Sequence, residues 1–468
     1  MTSIPVSVGR IETFRRSIRT RMPFRFGNAV MESMDVAYAR VETSIGGTDT
    51  DGIAAQILSP LWFDKDPQVS FDAKNQRLLR AIAIAADIYN AAGQGSLSVL
   101  HREVSSATAE RCAGEGINAL TASFGVALIE TALFHALCSA TATNFHQALL
   151  ADLPGLGEDF VSSLPSKPTP RMAVRHTVGL TDPVIDADIE EPLGDGLPQT
   201  LSDIIARHGV RYFKIKIARE TEPTIERLCH IASLLDTTAG DYAVTLDANE
   251  QFEDMGEFHA FVQAFSEEPR LRSFWDRMLL FEQPVHRDEA LSPEVAEPLR
   301  EIGKARPVII DESDATDETL MLALELGYAG CSAKSCKGVW RSLDHHRLLS
   351  APRPDGSFTG ILSAEDLTCP AIFPLQQDLC VVAALGIKHC ERNAHHYIRG
   401  LDHLTETERD TVLREFPSLY ERNGEGPATL KIIGGDLDLR EVNCQGFGTL
   451  SPPQWEQLEP LPLPGILS

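Results

Sequence analysis

Between residues 171 and 393 the chain alternates short apolar runs with helical stretches eight times, and no other feature restricts the fold as strongly. The runs are "RMAVRHTVG" (171–179), "RYFKIKIA" (211–218), "YAVTLDANE" (242–250), "RMLLFEQPV" (277–285), "RPVIIDES" (306–313), "AGCSAKS" (329–335), "FTGILSAEDL" (358–367) and "IKHCERN" (387–393). Between them lie helical patterns such as "TIERLCHIASLLD" (224–236), "ETLMLALELG" (318–327) and "PLQQDLCVVAALG" (374–386). The last two stop at glycine, as helices often do. Eight such units are the arithmetic of a closed (β/α)8 barrel, an α/β fold. An open dinucleotide-binding sheet is the main rival, but the GxGxxG turn it needs after the first strand is absent.

The flanks follow other patterns. "MDVAYARVETSIGG" (34–47) reads as an antiparallel strand closing in a Gly-Gly turn, and residues 119–150 read as long helices with apolar faces. A connector bearing proline and glycine, 153–170, leads into the barrel. Beyond it, "TETERDTVLREF" (405–416) is helical and "ATLKIIGGDLDLREVNC" (428–444) is strand-like. The expected organisation is an α+β capping domain over 1–165, the barrel over 171–400, and a segment over 401–468 that packs back on the cap.

The barrel strands end in a common way: an apolar run, then a charged residue. In the second run Phe213, Ile215 and Ile217 share one face and Lys214 and Lys216 the other, because side chains two apart on a strand point the same way. The third run ends "VTLD" at Asp247, the fourth "LLFE" at Glu282, the fifth "VIID" at Asp311 beside Glu312, and the sixth "CSAK" at Lys334. The carboxyl ends of barrel strands form the mouth where active sites are built, so these charges are expected to converge, with both lysines of the second strand facing the interior.

Three converging carboxylates repel one another unless a cation sits among them, and an all-oxygen donor set favours Mg2+ over zinc, with Mn2+ as a substitute. Asp247, Glu282 and Asp311 are the expected ligands, and Glu312 is expected on the other side of its strand. Asn249, two residues beyond Asp247 on the same face, is expected to bind substrate or orient a ligand. Lys216 and Lys334 approach from opposite walls. Burial, the neighbouring Lys214 and the metal are expected to push their pKa values down towards a usable base. Such a set suits removal of a proton next to a carboxylate, with the growing negative charge held by the metal. Taken singly, the same residues also read as a solvated strand face, as helix N-caps or as structural ion pairs.

Composition removes several other classes. A formal charge of −25 opposes binding to nucleic acid or to an anionic membrane surface, and no apolar stretch in the sequence reads as a membrane span. The nine cysteines are scattered without a zinc-type CxxC pairing and no apolar leader follows Met1, so reduced thiols in a cytoplasm are expected, with Cys336 as a candidate reactive thiol.

These motifs closely resemble those of the enolase superfamily, in its mandelate racemase and muconate-lactonising branch. "FKIKI" resembles that group's K-x-K strand; "LDANE", "FEQPV" and "IIDES" resemble its three metal-ligand strand ends; "KSCKG" (334–338) resembles its K-x-x-K-G segment. "MPFRFGNAV" (22–30) is similar to the loop that closes over substrate, and "IETALFHAL" (129–137) to the capping domain's helix. The resemblance implies an enolase-type modified barrel, Lys216 as the base, Lys334 as the opposing acid/base, and a homo-oligomer acting on a small carboxylate. It also makes Phe24 and Arg25 lid residues, with Arg25 placed to meet a second anionic group. Glu365 and Glu391 are further candidates near the mouth to orient a lysine or the substrate, and the roles of Asp366, His389, His395 and His396 are left open.

The departures from the pattern are specific. The interval from Asp247 to Glu282 is long, which predicts an enlarged helix or loop at 251–276; Val339 stands where a second glycine is usual; and "TDTDGIAAQ" lacks the usual glutamate. The seventh run has no terminal histidine and the eighth no D-x-D, so the pattern resembles the muconate-lactonising and N-acylamino-acid racemase side. Racemisation or epimerisation is the expected reaction, with cycloisomerisation and β-elimination as alternatives. A Schiff-base lyase and a binding protein without turnover are the alternatives from other classes.

Overall fold

The computed structural model describes residues 3–27, 29–351, 360–422, 424 and 426–465. Asn28 of the lid motif, residues 358 and 359 of the seventh run, and residues 423, 425 and 466–468 of the tail lie outside that set.

The chain opens with an antiparallel meander of β1 (Val6–Phe26), β2 (Ala29–Ile45) and β3 (Thr48–Leu58), the last two joined at Gly46 and Gly47. A short helix follows, α1 (Pro60–Phe63), then three long ones: α2 (Phe71–Ala91), α3 (Leu97–Gly114) and α4 (Ala119–Ala140). Among the described residues α4 is the helix long and apolar enough to cross a membrane, but 89% of that window is buried within the protein. Two glycines explain how it packs so closely. A Cβ at Gly125 would lie 2.3 Å from the Ala81 carbonyl oxygen of α2, and one at Gly52 of β3 would lie 2.2 Å from that of Ala132. Backbone therefore meets backbone on both sides of α4.

Eight strands then close a parallel barrel: β4 (Arg171–Val178), β5 (Tyr212–Lys216), β6 (Ala243–Asp247), β7 (Met278–Glu282), β8 (Val308–Ile310), β9 (Gly330–Ala333), β10 (Ile361–Ala364) and β11 (His389–Arg392). Each pairs with the next, and β11 pairs back with β4 through His389↔Ala173 to Arg392↔His176. All eight runs read from the sequence are strands. The long interval after β6 holds helix Met255–Glu267, capped by the Asp254 side chain, and a shorter helix Arg272–Asp276. Phe258, Phe261 and Phe265 anchor the longer helix, with the Phe258 ring 5.1 Å from that of Phe281 on β7. The strand-like 428–444 divides into Ala428–Leu430 and Asp436–Asp438, and the latter pairs antiparallel with the start of β4. Further on, Glu459–Pro460 pairs with β1. The tail thus touches both the barrel and the meander.

Beside β4 and β11 sits a group of histidines: His176 Nδ1 is 3.1 Å from His395 Nε2, and the His396 and His208 rings adjoin them. Burial holds His208 down to about 4, and His176, His395 and His396 well below the usual value. A depressed histidine pKa means stability that is complete above about 6.5, the unfolded value, and lost as the pH falls towards the folded one. The melting temperature should therefore drop steadily from pH 6.5 to 4, with a slope of about 1.4 kcal/mol per pH unit for each histidine that titrates. A flat profile over that window would contradict neutral burial of this group.

Candidate active site

Strand register assembles the site. Lys216, Asp247 and Glu282 lie side by side on β5, β6 and β7, because Lys216 pairs with Asp247 and Asp247 with Glu282. One level deeper, Lys214 is fully buried at the centre of the barrel. Its ammonium is 3.0 Å from Asp247 Oδ2, 2.9 and 2.8 Å from the two oxygens of Glu282, 2.8 Å from Glu365 Oε2 and 2.9 Å from Glu391 Oε2. Burial opposes its charge, but these carboxylates outweigh burial and hold its pKa well above the ordinary lysine value. Glu365 also pairs with Arg175 from β4, and Glu391 accepts from Thr177 at 2.7 Å.

Two further lysines face the interior from opposite walls. Lys216 on β5 donates to Asp247 Oδ2 at 2.5 Å, and Lys334, one residue beyond β9, binds Asp311. Three strands lie between β5 and β9 on either side of a ring of eight, so the two ammonium groups approach from across the barrel. Both stay slightly open, at 6% and 4% exposure, whereas Lys214 has none. The expected depression of lysine pKa is corrected for Lys334: burial does lower it, but the charge of Asp311 raises it further, to a net value above that of a free lysine. Lys337 is structural, 2.7 Å from Asp314 and 2.8 Å from Ser332 Oγ.

Glu312 does not lie on the far side of its strand. Strand β8 ends at Ile310, so the two-residue alternation has stopped by the time Glu312 is reached. Its Oε1 accepts from Asn249 Nδ2 and from Trp62 Nε1, both at 3.1 Å, and the Trp62 ring lies 4.7 Å from the Lys334 ammonium. Burial, then the charge of Asp311, pushes Glu312 up to about 7. Asn249 is at φ 43°, a left-handed conformation stabilised by its N–H bonding Asp247 Oδ1 at 2.8 Å.

Other candidates sit elsewhere. Phe24 is buried and stacks on Tyr397 at 4.2 Å, while Arg25, the next residue on β1, is exposed. The hairpin tip does reach the site: a Cβ at Gly27 would lie 3.3 Å from the Asn249 carbonyl oxygen. Glu365 and Glu391 are spanned by Lys214 and held at 1% exposure. Asp366 accepts from the backbone of Cys369 and Asn393, and His389 stacks on Tyr212 next to Arg175. Cys336 is buried, and burial pushes its thiol up to about 12. Sequence reasoning missed Arg175 and Trp62. An arginine inside the first apolar run was a signal for the former; nothing local marked the latter.

The donor set suits a hard cation. Asp247, Glu282 and Asp311 are fully buried on three successive strand ends and offer oxygen alone. Glu282 carries the strain of the crowding: burial, then the charges of Asp247 and Glu365, raise its pKa well above the carboxylate range, and its Oε2 receives no aligned hydrogen bond. Glu282 shares Lys214 with three other carboxylates, whereas Asp247 also meets Lys216 and Asp311 meets Lys334. Among the described residues a different set, Asp314, Cys331 and His345, brings three ligand-type atoms within 4.8 Å of one another. That set is already neutralised, with Lys337 on Asp314.

A closed parallel barrel covered by an antiparallel sheet and helices defines the architectural class. No family model and no curated protein matches the chain. Solved structures do. The chain is similar to 2-chloromuconate cycloisomerase from Rhodococcus opacus 1CP, with 15% identity, TM-score 0.59, and 94% and 95% of the two chains covered. It is similar to the L-Ala-D/L-Glu epimerase from Bacillus subtilis, with 14% identity, TM-score 0.60, and 91% and 98% covered. It is also similar to a dipeptide epimerase from Enterococcus faecalis V583 solved with Mg and a dipeptide, with 14% identity, TM-score 0.59, and 84% and 92% covered. These likenesses establish the fold, and they agree with the resemblance to the mandelate racemase and muconate-lactonising branch read from the motifs.

Proposed function

We propose that the chain is an enzyme of that branch of the enolase superfamily, which removes the α-proton of a small carboxylate and returns it on either face, as a racemase or epimerase. The observation that carries this reading is the opposition of Lys216 and Lys334 across one buried interior, with three carboxylates between them on neighbouring strands. Asp247, Glu282 and Asp311 would hold Mg2+, with Mn2+ as a substitute. The bound ion supplies positive charge that lowers the cost of the electron pair left behind when the proton departs. The chain's own groups do the rest: one lysine takes the α-proton, the other delivers a proton to the opposite face, and Lys214 keeps the carboxylates of the deeper layer in place. The Gly27 hairpin, whose tip lies against Asn249, keeps water out.

The test is exchange of α-protons for deuterium across a panel of carboxylates, followed by NMR. Exchange that needs Mg2+ and stops with chelator is the expected result; none across the panel would overturn the reading. Covalent trapping by borohydride would favour the Schiff-base route instead. Metal binding has its own readout. Saturating Mg2+ should raise the melting temperature, by about 2.7 kcal/mol of stability at a hundred times the dissociation constant. Asp247→Asn or Glu282→Gln should abolish that rise. A variant that keeps the full shift would place the ion elsewhere.

A further inference from the structure

On the side of the loops that follow β7 and β8, a cleft of about 580 Å³ runs between the meander-and-helix region and the barrel mouth. Asp64, Lys65 and Arg77 line it from one side, and His286, Arg287 and Glu312 from the other. The three long cations already have partners: Arg77 holds Asp64 at 2.6 Å, Arg287 holds both oxygens of Glu250 at 2.8 Å, and Lys65 is 3.8 Å from the same glutamate. The acceptor side is not satisfied. Glu312 is fully buried and its Oε2 has no hydrogen-bond partner.

The other oxygen of Glu312 is bonded by the Trp62 indole, whose ring faces Lys334. One side chain therefore touches both the reacting lysine and the acceptor in the cleft wall. Trp62 hangs from the four-residue helix α1, which is joined to the barrel by Arg287, donating to the carbonyls of Trp62 at 2.8 Å and Phe63 at 3.0 Å. The indole lies over Lys334, its ring centroid 4.7 Å from the ammonium, on the side that a carboxylate reaching this lysine would approach if the cleft leads to it.

We propose that the cleft receives the distal end of the substrate, that this end carries an ammonium group, and that Glu312 accepts it once the Trp62 indole swings aside. The inference rests on the reading of Lys216 and Lys334 as the reacting pair, since that reading fixes where the carboxylate end sits. An ammonium restores the donor that Glu312 loses with the indole and serves the oxygen that has none. An anionic end would meet Glu312 and Asp64 with no free cation to answer them.

The experiment is calorimetric binding of Nα-acetyl-lysine and Nα-acetyl-norleucine to the full-length protein with Mg2+; the two probes differ at the terminal ammonium. The lysine derivative should bind at least about tenfold more tightly, the usual range for a hydrogen-bonded charge. Glu312→Gln should bring the ratio close to one with norleucine binding little changed. Trp62→Phe, which keeps an aromatic ring but removes the indole N–H, should tighten binding of the lysine derivative several-fold and leave norleucine as it was. Equal affinities, no binding of either probe, or a ratio that survives Glu312→Gln would overturn the proposal. Preference for lysine without any exchange of its α-proton would uphold the cleft and count against the catalytic reading instead.

Discussion

Replacing Lys334 by methionine should abolish interconversion of the two hands of the substrate while α-proton exchange of one enantiomer stays measurable. Lys216 and Lys334 reach the interior from walls four strands apart, so each can meet only one face of a carbon held between them. Removing one deletes proton transfer on its own face, a loss on the order of 10²- to 10⁴-fold. Lys216→Met should show the mirror pattern, with the other enantiomer retaining exchange. Deuterium incorporation followed separately for each enantiomer, beside chiral chromatography of the products, reads both effects. Lys334→Arg is a useful control, because it keeps a charge on Asp311 while replacing the amine with a guanidinium that does not give up its proton. If both methionine variants lose exchange of both enantiomers equally, the two lysines do not act on opposite faces.

Lys214→Met should cripple folding rather than chemistry. The ammonium lies within 3.0 Å of four carboxylates that no solvent reaches. Deleting one partner of a buried ionic group leaves uncompensated charge and costs about 3–5 kcal/mol, whereas the intact group contributes less than its Coulomb energy suggests because burying it was itself unfavourable. A melting temperature lower by about 3–5 °C, or loss of soluble protein, is the expected outcome. Lys216→Met should melt much closer to the parent, since Lys216 meets the single carboxylate Asp247 at the slightly open rim. Equal melting temperatures for the two variants would mean that the cage around Lys214 is not what holds the deeper layer together.

The contrast between these lysines was only half legible. Alternation along "FKIKI" placed both on the inner face, and both are there. It could not separate a lysine that meets one carboxylate from a lysine that meets four, because the extra partners arrive from β10 and β11, 151 and 177 residues away. Glu365 and Glu391 were for the same reason legible as residues near the mouth but not as the floor of a cage. Glu312 and Arg25 show two further limits. The period of two holds inside a strand, so it places Arg25 outward between Phe24 and Phe26, yet it fails for Glu312 two residues past the end of β8. Strand β1 carries six arginines, and its apolar residues are widely spaced, so pairing with β2 rather than its own pattern makes it a strand over its whole length.

By itself the sequence determined the repeat of eight strand and helix units, and with it the barrel, because apolar period and glycine stops are properties of each segment alone. It also determined that acids and amines stand at the strand ends, since a charged residue ending an apolar run must sit where the strand meets the mouth. Only the tertiary structure decided which amine meets which acid, that Trp62 covers Lys334, and that Glu312 is left with an unpaired oxygen. Those facts depend on side chains converging across a closed ring from segments far apart in the chain, and local pattern carries direction along a strand but not the identity of what comes from the other side.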